Sequence, residues 1–194
     1  MIETLSLIGV QLYEIRFHGR GGQGSVIASE LLVNAAFSEG YHVSAFPYFG
    51  VERRGAPVTA FARISRDEIL IRSGIYHPDF VIVLDESLLT GVDVINGLKT
   101  NGSILVNSQR KPSELSLDSD HHKYTVNATD IAIKHHLGSP SVPIVNTAIL
   151  GAFARISPII SLNSLLEAIH SITPRKKDAN VAATREAYDA VRGM

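Results

Sequence analysis

The sequence predicts an α/β fold with three layers: a mainly parallel sheet, helices on both faces, a short antiparallel hairpin insertion and C-terminal helices. Three observations favour it. A strand, a glycine-rich turn and a helix follow one another near the N-terminus. Phe80–Leu84 is a continuous apolar run that ends at Asp85, which is typical of a parallel strand buried on both faces. After residue 145 the apolar residues recur at helical spacing.

The first three elements give the order strand, helix, strand. Leu12–His18 alternates in polarity as a strand does, and Ser25–Ser38 carries apolar residues at near-helical spacing. Gly40 is predicted to end that helix, and His42–Phe46 is predicted to be the second strand. A βαβ unit of this kind is the usual beginning of an open α/β sheet.

The hairpin insertion is predicted next, from two short apolar runs. Val58–Ile64 and Glu68–Arg72 flank the polar turn Ser65–Asp67. The polar stretch Gln109–Lys123 is predicted to be a surface excursion, after which the sheet is expected to end. The remaining predicted elements are strands at Ser103–Val106 and Tyr124–Asn127 and helices at Thr129–His136, Asn146–Arg155, Leu162–Ser171 and Asp178–Val191. The sequence contains no internal repeat or convincing linker, so one domain is expected over residues 1–194.

Composition excludes several classes of protein. Eighteen basic and nineteen acidic side chains give a net charge of −1, which leaves no electrostatic basis for binding nucleic acid. The chain has no cysteine, so a cysteine-ligated iron–sulfur cluster must lie on another polypeptide. No stretch approaches the ~20 apolar residues of a membrane span, and no signal peptide is recognisable, so a cytoplasmic protein without membrane contact is expected. The 45% hydrophobic content favours burial of some apolar surface in subunit contacts.

The glycine turn is the first candidate binding site. Gly19, Gly21 and Gly24 fit the pattern G-x-G-x-x-G between a strand and a helix, where backbone N–H groups and the helix dipole attract a phosphate. A tight turn without a ligand fits the pattern equally well. Arg20 is either a phosphate clamp or a member of an ordinary surface ion pair.

A nicotinamide or flavin dinucleotide would require an acidic residue at the end of the second strand to hold the ribose hydroxyls. That strand instead ends in Ala45-Phe46-Pro47. The bulky side chains of Arg20 and Gln23 within the turn also disfavour a dinucleotide. Phosphate binding remains open.

A second loop is the other candidate. Residues 49–57 place Glu52, Arg53 and Arg54 between two glycines, at the carboxyl end of the second predicted strand. Ligands of open α/β sheets bind at that end, so the loop and the glycine turn are expected to face one crevice. Two arginines suit a polyanion. A Glu–Arg pair that only supports the loop, and so faces a partner subunit, is the alternative.

Four segments in order carry a resemblance to a known family. They are Phe17-His18-Gly19-Arg20-Gly21-Gly22-Gln23-Gly24, Phe49-Gly50-Val51-Glu52-Arg53-Arg54-Gly55-Ala56-Pro57, Pro78-Asp79-Phe80-Val81-Ile82-Val83-Leu84-Asp85 and Asn146-Thr147-Ala148-Ile149-Leu150-Gly151-Ala152. Together they resemble the gamma subunits of pyruvate- and related 2-oxoacid:ferredoxin oxidoreductases. The resemblance extends from about Tyr13 to Val191.

The resemblance implies a multi-subunit enzyme that converts a 2-oxoacid and coenzyme A to an acyl-CoA and carbon dioxide. It implies that alpha, beta and delta-type partner subunits hold thiamine diphosphate, Mg²⁺ and [4Fe-4S] clusters and pass electrons to ferredoxin or a similar acceptor. This chain would help bind coenzyme A and assemble the complex, with no catalytic residue or metal ligand of its own. The matching positions are Gly19, Arg20, Gly21, Gly22, Gln23, Gly24, Glu52, Arg53, Arg54 and Gly55.

The oxoacid stays open at this point: pyruvate is the default, with 2-oxoisovalerate and phenylglyoxylate as alternatives. Two other functions also remain. One is a stand-alone dinucleotide-binding dehydrogenase, which the absent ribose carboxylate disfavours. The other is a non-enzymatic module that binds coenzyme A or a nucleotide and docks on an unrelated partner.

Other polar residues have simpler interpretations. His18 is predicted to be a core histidine or one hydrogen-bonded near the turn, and Asp85 to cap the segment that follows it. The adjacent pairs His121-His122 and His135-His136 are predicted to lie on the surface. Adjacent side chains point apart and do not chelate one metal ion together.

Overall fold

A computed structural model describes residues 11–48, 55–117 and 120–193. Its strands are β1 (Leu12–Arg20), β2 (His42–Tyr48), β3 (Pro57–Ser65), β4 (Phe80–Val83), β5 (Ser103–Asn107), β6 (His122–Val126), β7 (Gly138–Ser139), β8 (Val142–Pro143) and β9 (Arg192–Gly193). Seven of them form one sheet in the order β2-β3-β1-β4-β5-β6-β9, and β7 pairs with β8 in a small antiparallel hairpin.

The sheet is mixed, with a parallel centre. β1, β4, β5 and β6 are parallel neighbours. β3 runs antiparallel to both β1 and β2, so β2 points the same way as the parallel strands, and β9 is antiparallel to β6. The predicted fold class, a mainly parallel sheet with a small antiparallel hairpin and C-terminal helices, is confirmed.

The α-helices lie within two residues of their predicted ends. They are α1 (Ser25–Ser38), α2 (Ala128–Lys134), α3 (Asn146–Ile156), α4 (Leu162–Ile172) and α5 (Lys177–Ala190). Two of them begin at capping side chains: Asn127 accepts a hydrogen bond from the Asp130 N–H, and Ser161 accepts one from the Ser164 N–H. Within the described ranges, no helix is long and apolar enough to cross a membrane.

The two faces of the sheet are covered differently, because alternate residues of each strand point to opposite sides. Ile82 and Leu105 pack in a core shared with all five α-helices. Val81 and Ile104 pack in a smaller core with Leu88 of the 3₁₀ helix Glu86–Thr90 and the chain that follows it. Helices were predicted on both faces of the sheet. The structure has α-helices on one face, and on the other face it has a 3₁₀ helix together with irregular chain.

The strand predicted at Glu68–Arg72 is wrong, because that segment is irregular. The guanidinium group of Arg63 lies beneath it and donates hydrogen bonds to the carbonyl oxygens of Ile71 (3.3 Å) and Gly74 (3.2 Å). These carbonyls are therefore satisfied by a side chain rather than by a neighbouring strand. The hairpin partner of β3 in the structure is β2, not the predicted strand at Glu68–Arg72. The separate small hairpin is formed by β7 and β8.

Two further expectations about the sheet are corrected. β2 is not the neighbour of β1, because β3 inserts between them and pairs with β1 along Leu12–Arg20. A local β2–β3 hairpin thus takes the place of a second parallel crossover. The sheet also does not end before the C-terminal helices, because β9 returns to pair with β6.

Candidate binding site at the glycine turn

The glycine turn joins the end of β1 to the start of α1. Gly22 and Gly24 have φ angles of +99° and +84°, in the region that favours glycine. The Gln23 N–H donates to the Arg20 carbonyl oxygen at 3.0 Å, which closes the turn. The two glycines are therefore required by the local backbone, whether or not a ligand binds.

The N-terminus of α1 has no capping side chain. Gly24 occupies the N-cap position, has no side chain and provides no capping hydrogen bond. No acidic residue lies in the first turn of α1 either. The first N–H groups of a helix have no partner within it and carry a partial positive charge. This end of α1 therefore keeps the features that the phosphate hypothesis requires.

Arg20 is held in a cluster of polar side chains at the turn. Its Nε atom lies 3.2 Å from Asp85 Oδ2, and its Nη2 atom donates to Ser87 Oγ at 2.8 Å. Gln23 Nε2 also donates to Asp85 Oδ2, at 2.8 Å. Of the two roles predicted for Arg20, the ion pair is present, and its acidic member is Asp85.

Asp85 caps the 3₁₀ helix as predicted, since its Oδ1 atom accepts a hydrogen bond from the Ser87 N–H at 3.0 Å. Burial alone would raise the pKa of Asp85. Hydrogen bonds from Ser87 and Gln23 and the charge of Arg20 outweigh burial, so the pKa lies below its usual value. The carboxylate is therefore ionised at neutral pH and neutralises part of the charge of Arg20.

The described end of the second loop lies against the glycine turn. The Gly21 N–H donates to the Ala56 carbonyl oxygen (2.9 Å), and the Gly55 N–H donates to the Gly21 carbonyl oxygen (3.2 Å). Arg20 Nη1 adds a hydrogen bond to the Gly55 carbonyl oxygen at 3.0 Å. Glu52, Arg53 and Arg54, the charged residues of the site predicted from the sequence, lie outside the described residues.

A polar cavity of about 420 Å³ extends from the turn along the carboxyl ends of β4, β5 and β6. Asn107 and Thr129 line it and are tied together, because Asn107 Nδ2 donates to Thr129 Oγ1 at 2.9 Å. Arg110 also lines it and forms an ion pair with Glu86 at 2.9 Å. Sequence reasoning missed these residues, although each follows a predicted parallel strand and the carboxyl edge of the sheet could have indicated them.

His18 does not line this cavity. It is 7% exposed, and its Nε2 atom accepts a hydrogen bond from Arg16 Nε at 3.0 Å. Burial, with a smaller contribution from the charge of Arg16, lowers the pKa of His18 to about 3. The imidazole is therefore neutral at physiological pH, and the prediction of a hydrogen-bonded core histidine is confirmed. In the part of the chain that the structure describes, no three His, Asp or Glu side chains are grouped to hold a metal ion.

Gly19, at the start of the glycine turn, allows a prediction about the stability of the chain. A Cβ atom at this position would lie 2.1 Å from Ser25 Oγ, while its next contacts, Gln23 Oε1 and Leu84 Cβ, are at 3.4 and 3.5 Å. Ser25 Oγ is buried without a hydrogen-bond partner in the described chain. We expect Gly19→Ala to lower the free energy of unfolding by about 1–3 kcal/mol, and Ser25→Ala in the same chain to restore most of it.

A double-mutant cycle by urea denaturation tests this expectation. Ser25→Ala alone serves as the control and should be neutral or slightly stabilising, because it removes an unpaired buried hydroxyl. Additive losses in the double variant would show that the Ser25 hydroxyl is not the obstacle.

The fold and the site together define the class: an α/β protein of the open-sheet type, with its polar crevice at the carboxyl ends of the parallel strands. Residues 14–190 match the family model described as pyruvate ferredoxin/flavodoxin oxidoreductase. The chain belongs to that family, as a subunit of the gamma type.

Relatives support this assignment over nearly the whole chain. The chain is 48% identical to pyruvate synthase subunit PorC of Methanothermobacter marburgensis, over 93% of this chain and 98% of that protein. It is 49% identical to the pyruvate/ketoisovalerate oxidoreductases common subunit gamma of Pyrococcus furiosus, over 92% and 96% of the two chains. The relatives are subunits of 2-oxoacid oxidoreductases, and this chain is accordingly a subunit of an oxidoreductase.

Solved structures agree on the fold. Pyruvate oxidoreductase subunit PORC of Thermotoga maritima superposes with a TM-score of 0.82, at 35% identity, over 95% of this chain and 99% of that one. The 2-oxoglutarate:ferredoxin oxidoreductase of Magnetococcus marinus, with 2-oxoglutarate, coenzyme A and succinyl-CoA bound, superposes with a TM-score of 0.68 at 21% identity. That match covers 92% of this chain and 30% of the larger one, and it shows a shared fold.

Proposed function

We propose that the chain helps to bind coenzyme A within a thiamine-diphosphate-dependent 2-oxoacid:acceptor oxidoreductase. The observation that carries the proposal is the uncapped N-terminus of α1, which follows a turn that is hydrogen-bonded to Gly55 and Ala56, next to Arg53 and Arg54 in the sequence. Coenzyme A carries a pyrophosphate and a 3′-phosphate, which suit a helix N-terminus and guanidinium groups. The structure of the Magnetococcus marinus enzyme with coenzyme A bound supports the same ligand for this fold.

The roles of the three arginines differ in this proposal. Arg20 already pairs with Asp85, and it holds the Gly55 carbonyl oxygen, so it positions the end of the second loop. Arg53 and Arg54 immediately precede Gly55 in the sequence and supply the charge for the phosphates. The turn and the loop thereby form one wall of a site that partner subunits complete.

The redox chemistry is assigned to the partners. Without cysteine, this chain cannot supply thiolate ligands to an iron–sulfur cluster. The proposal therefore places thiamine diphosphate, Mg²⁺ and [4Fe-4S] clusters on alpha, beta and delta-type subunits, with ferredoxin or a similar protein as acceptor. Pyruvate is the proposed oxoacid. Activity with 2-oxoisovalerate or phenylglyoxylate but not pyruvate, measured on the purified complex with a dye acceptor, would replace it.

The dehydrogenase alternative has less support. A dinucleotide site needs the second strand beside the first, with a carboxylate at its end. Here β3 occupies that position and runs antiparallel to β1, while β2 ends at Tyr48 without a carboxylate. Turnover of a hydroxy acid with NAD(P) by the purified chain would revive this alternative.

The coenzyme A proposal predicts the behaviour of the double variant Arg53→Ala/Arg54→Ala in the assembled complex. We expect the KM for coenzyme A to rise by about ten-fold or more, because two charge-assisted contacts to phosphate are lost. The KM for the oxoacid should stay the same, since the proposal places that substrate in the partner subunits. Steady-state kinetics at fixed ionic strength measure both constants.

The matched control is Arg185→Ala, which removes an exposed arginine on α5. It should leave both constants unchanged. An unchanged KM for coenzyme A in the double variant would refute the role in coenzyme A binding. Loss of co-purification with the partner subunits would instead favour the alternative, in which the loop faces a partner.

A further inference from the structure

A second cavity, of about 460 Å³, lies on the helical side of the molecule. It is bounded by α1, the start of α3, the β7–β8 hairpin and the segment that joins α4 to α5. It shares no lining residue with the polar cavity at the strand ends. Much of its surface is aliphatic and comes from Ile27, Leu31, Leu137, Ile144 and Ile172.

Three of these aliphatic side chains are exposed to a degree that is unusual for isoleucine. Ile27 is 47% exposed, Ile144 is 38% exposed and Ile172 is 44% exposed. Apolar surface that is concave, contiguous and open to solvent is typical of a ligand-binding site. The volume also falls within the range of small-molecule pockets.

One side chain in the wall has a hydrogen-bond donor that no described residue accepts. Asn146 is 7% exposed, and its Oδ1 atom accepts the Thr147 N–H at 2.8 Å, which fixes the orientation of the amide. The Nδ2 atom donates no hydrogen bond to any described residue. The neighbouring polar groups are satisfied, since Thr147 Oγ1 donates to Asn180 Oδ1 and Asn180 Nδ2 donates to the Lys176 carbonyl oxygen. This N–H donor is not among the fully buried, unpaired side-chain atoms of the described chain, so it is available to an acceptor placed in the cavity.

The charges around the cavity favour an acceptor with one negative charge. Asn146 and Thr147, the first residues of α3, line the cavity, so the partial positive charge of this helix end lies at the same wall. Arg175 and Lys176 also line the cavity, and Lys176 Nζ is already hydrogen-bonded to the His136 carbonyl oxygen. Glu30 lines the cavity as well and disfavours a second negative charge.

We propose that this cavity binds a small monocarboxylic acid with an apolar body. The carboxylate accepts hydrogen bonds from Asn146 Nδ2 and pairs with Arg175, and the hydrocarbon part covers the aliphatic walls. Asn146 also packs against the glycine turn, because a Cβ atom added to Gly24 would lie only 2.7 Å from Asn146 Nδ2. The bound acid therefore contacts a residue that supports the turn. The cavity shares no lining residue with the glycine turn or with the polar cavity at the strand ends, although Asn146 packs against Gly24.

The test measures binding of 4-methylpentanoate to the full chain and to the assembled complex, by calorimetry and saturation-transfer NMR. The corresponding alcohol, amine and a six-carbon dicarboxylate, adipate, are compared with it. We expect the monocarboxylate to bind about ten-fold more tightly than the alcohol, because a charged acceptor strengthens the bond to the amide. The amine and adipate should bind more weakly still.

Four variants and one control variant make the test specific. Asn146→Ala should weaken binding of 4-methylpentanoate by about ten-fold, and Arg175→Gln by about two- to five-fold, because Arg175 is exposed. Ile144→Glu should abolish it without touching Asn146, which keeps the test valid if Asn146→Ala disturbs the turn. Glu30→Gln should improve the binding of adipate, and the control Arg185→Gln should change nothing.

Three results would overturn the proposal. The first is no binding of the acid at concentrations on the order of 10 mM. The second is equal binding of the acid and the alcohol, or binding that Ile144→Glu leaves unchanged. The third is binding to the isolated chain that disappears in the assembled complex, which would show that a partner subunit fills the cavity.

Discussion

Replacing Arg63 with Met is expected to lower the free energy of unfolding by about 3–5 kcal/mol. The Arg63 side chain is 1% exposed, and its Nε atom lies 2.9 Å from Glu14 Oε1, which is itself largely shielded. Removing the cation leaves a carboxylate without its partner at the edge of the core. The carbonyl oxygens of Ile71 and Gly74 lose their donor in the same step.

The double variant Glu14→Gln/Arg63→Met separates these contributions. It should recover part of the loss, because no unpaired charge remains, but not the part that arises from the two carbonyl groups. Arg72→Met, on the exposed segment nearby, is the control and should change stability by less than about 0.5 kcal/mol. Urea denaturation of the full chain measures all three variants and the unmodified chain. An Arg63→Met chain as stable as the control would show that the ion pair is dispensable.

Arg63 also shows where reasoning from the sequence reaches its limit. Periodicity predicts β3 well, since Val58–Ile64 lies within the observed strand Pro57–Ser65. It cannot show that a charged residue in that strand points inward and holds the next segment by its carbonyl groups. Glu68–Arg72 has strand-like composition, but a tertiary contact that no local pattern encodes determines its conformation.

The order of the strands was less predictable than the strands themselves. The βαβ pattern is local, whereas the neighbour of β1 is determined by pairing between strands that are distant in the sequence. β3 follows β2 through a short loop and pairs with β1 over its whole length, so it excludes β2 from that position. β9, only two residues long, gave no periodic signal at all.

Part of the candidate site could be predicted because its glycines are required by the backbone. Gly22 and Gly24 adopt positive φ angles, and such positions leave a pattern in the sequence. Asp85 was predicted as a cap, but its ion pair with Arg20 joins residues 65 positions apart, and neither segment indicates the other. The same holds for Asn146, whose contact with Gly24 places α3 behind the turn. The coenzyme A site at Arg53 and Arg54 stays a prediction.

Gly151→Leu is expected to prevent the native packing of α3 on α5. A Cβ atom at Gly151 would lie 1.9 Å from the Thr184 carbonyl oxygen and 2.8 Å from its carbonyl carbon. Both are backbone atoms of α5, so no side-chain rotation can relieve the contact. Even Gly151→Ala, which gains about 1 kcal/mol of helix propensity, should lose about 1–3 kcal/mol overall, because the two helices must separate by more than 1 Å.

The contrast with Gly19 makes the expectation specific. At Gly19 the atom that a new Cβ would meet is the Ser25 hydroxyl, which a second substitution can remove. At Gly151 the new Cβ would meet backbone atoms of Thr184, which no substitution of the Thr184 side chain can remove. Thr184→Ala should therefore fail to rescue Gly151→Ala, and Gly91→Ala, which meets no atom within 4 Å, should be neutral. Separation of α3 from α5 would also displace Asn146, the first residue of α3, from Gly24. Gly151→Ala should therefore lower the stability measured by urea denaturation and also weaken co-purification with the partner subunits. Unchanged stability of the Gly151→Ala chain would contradict the close approach of the two helices.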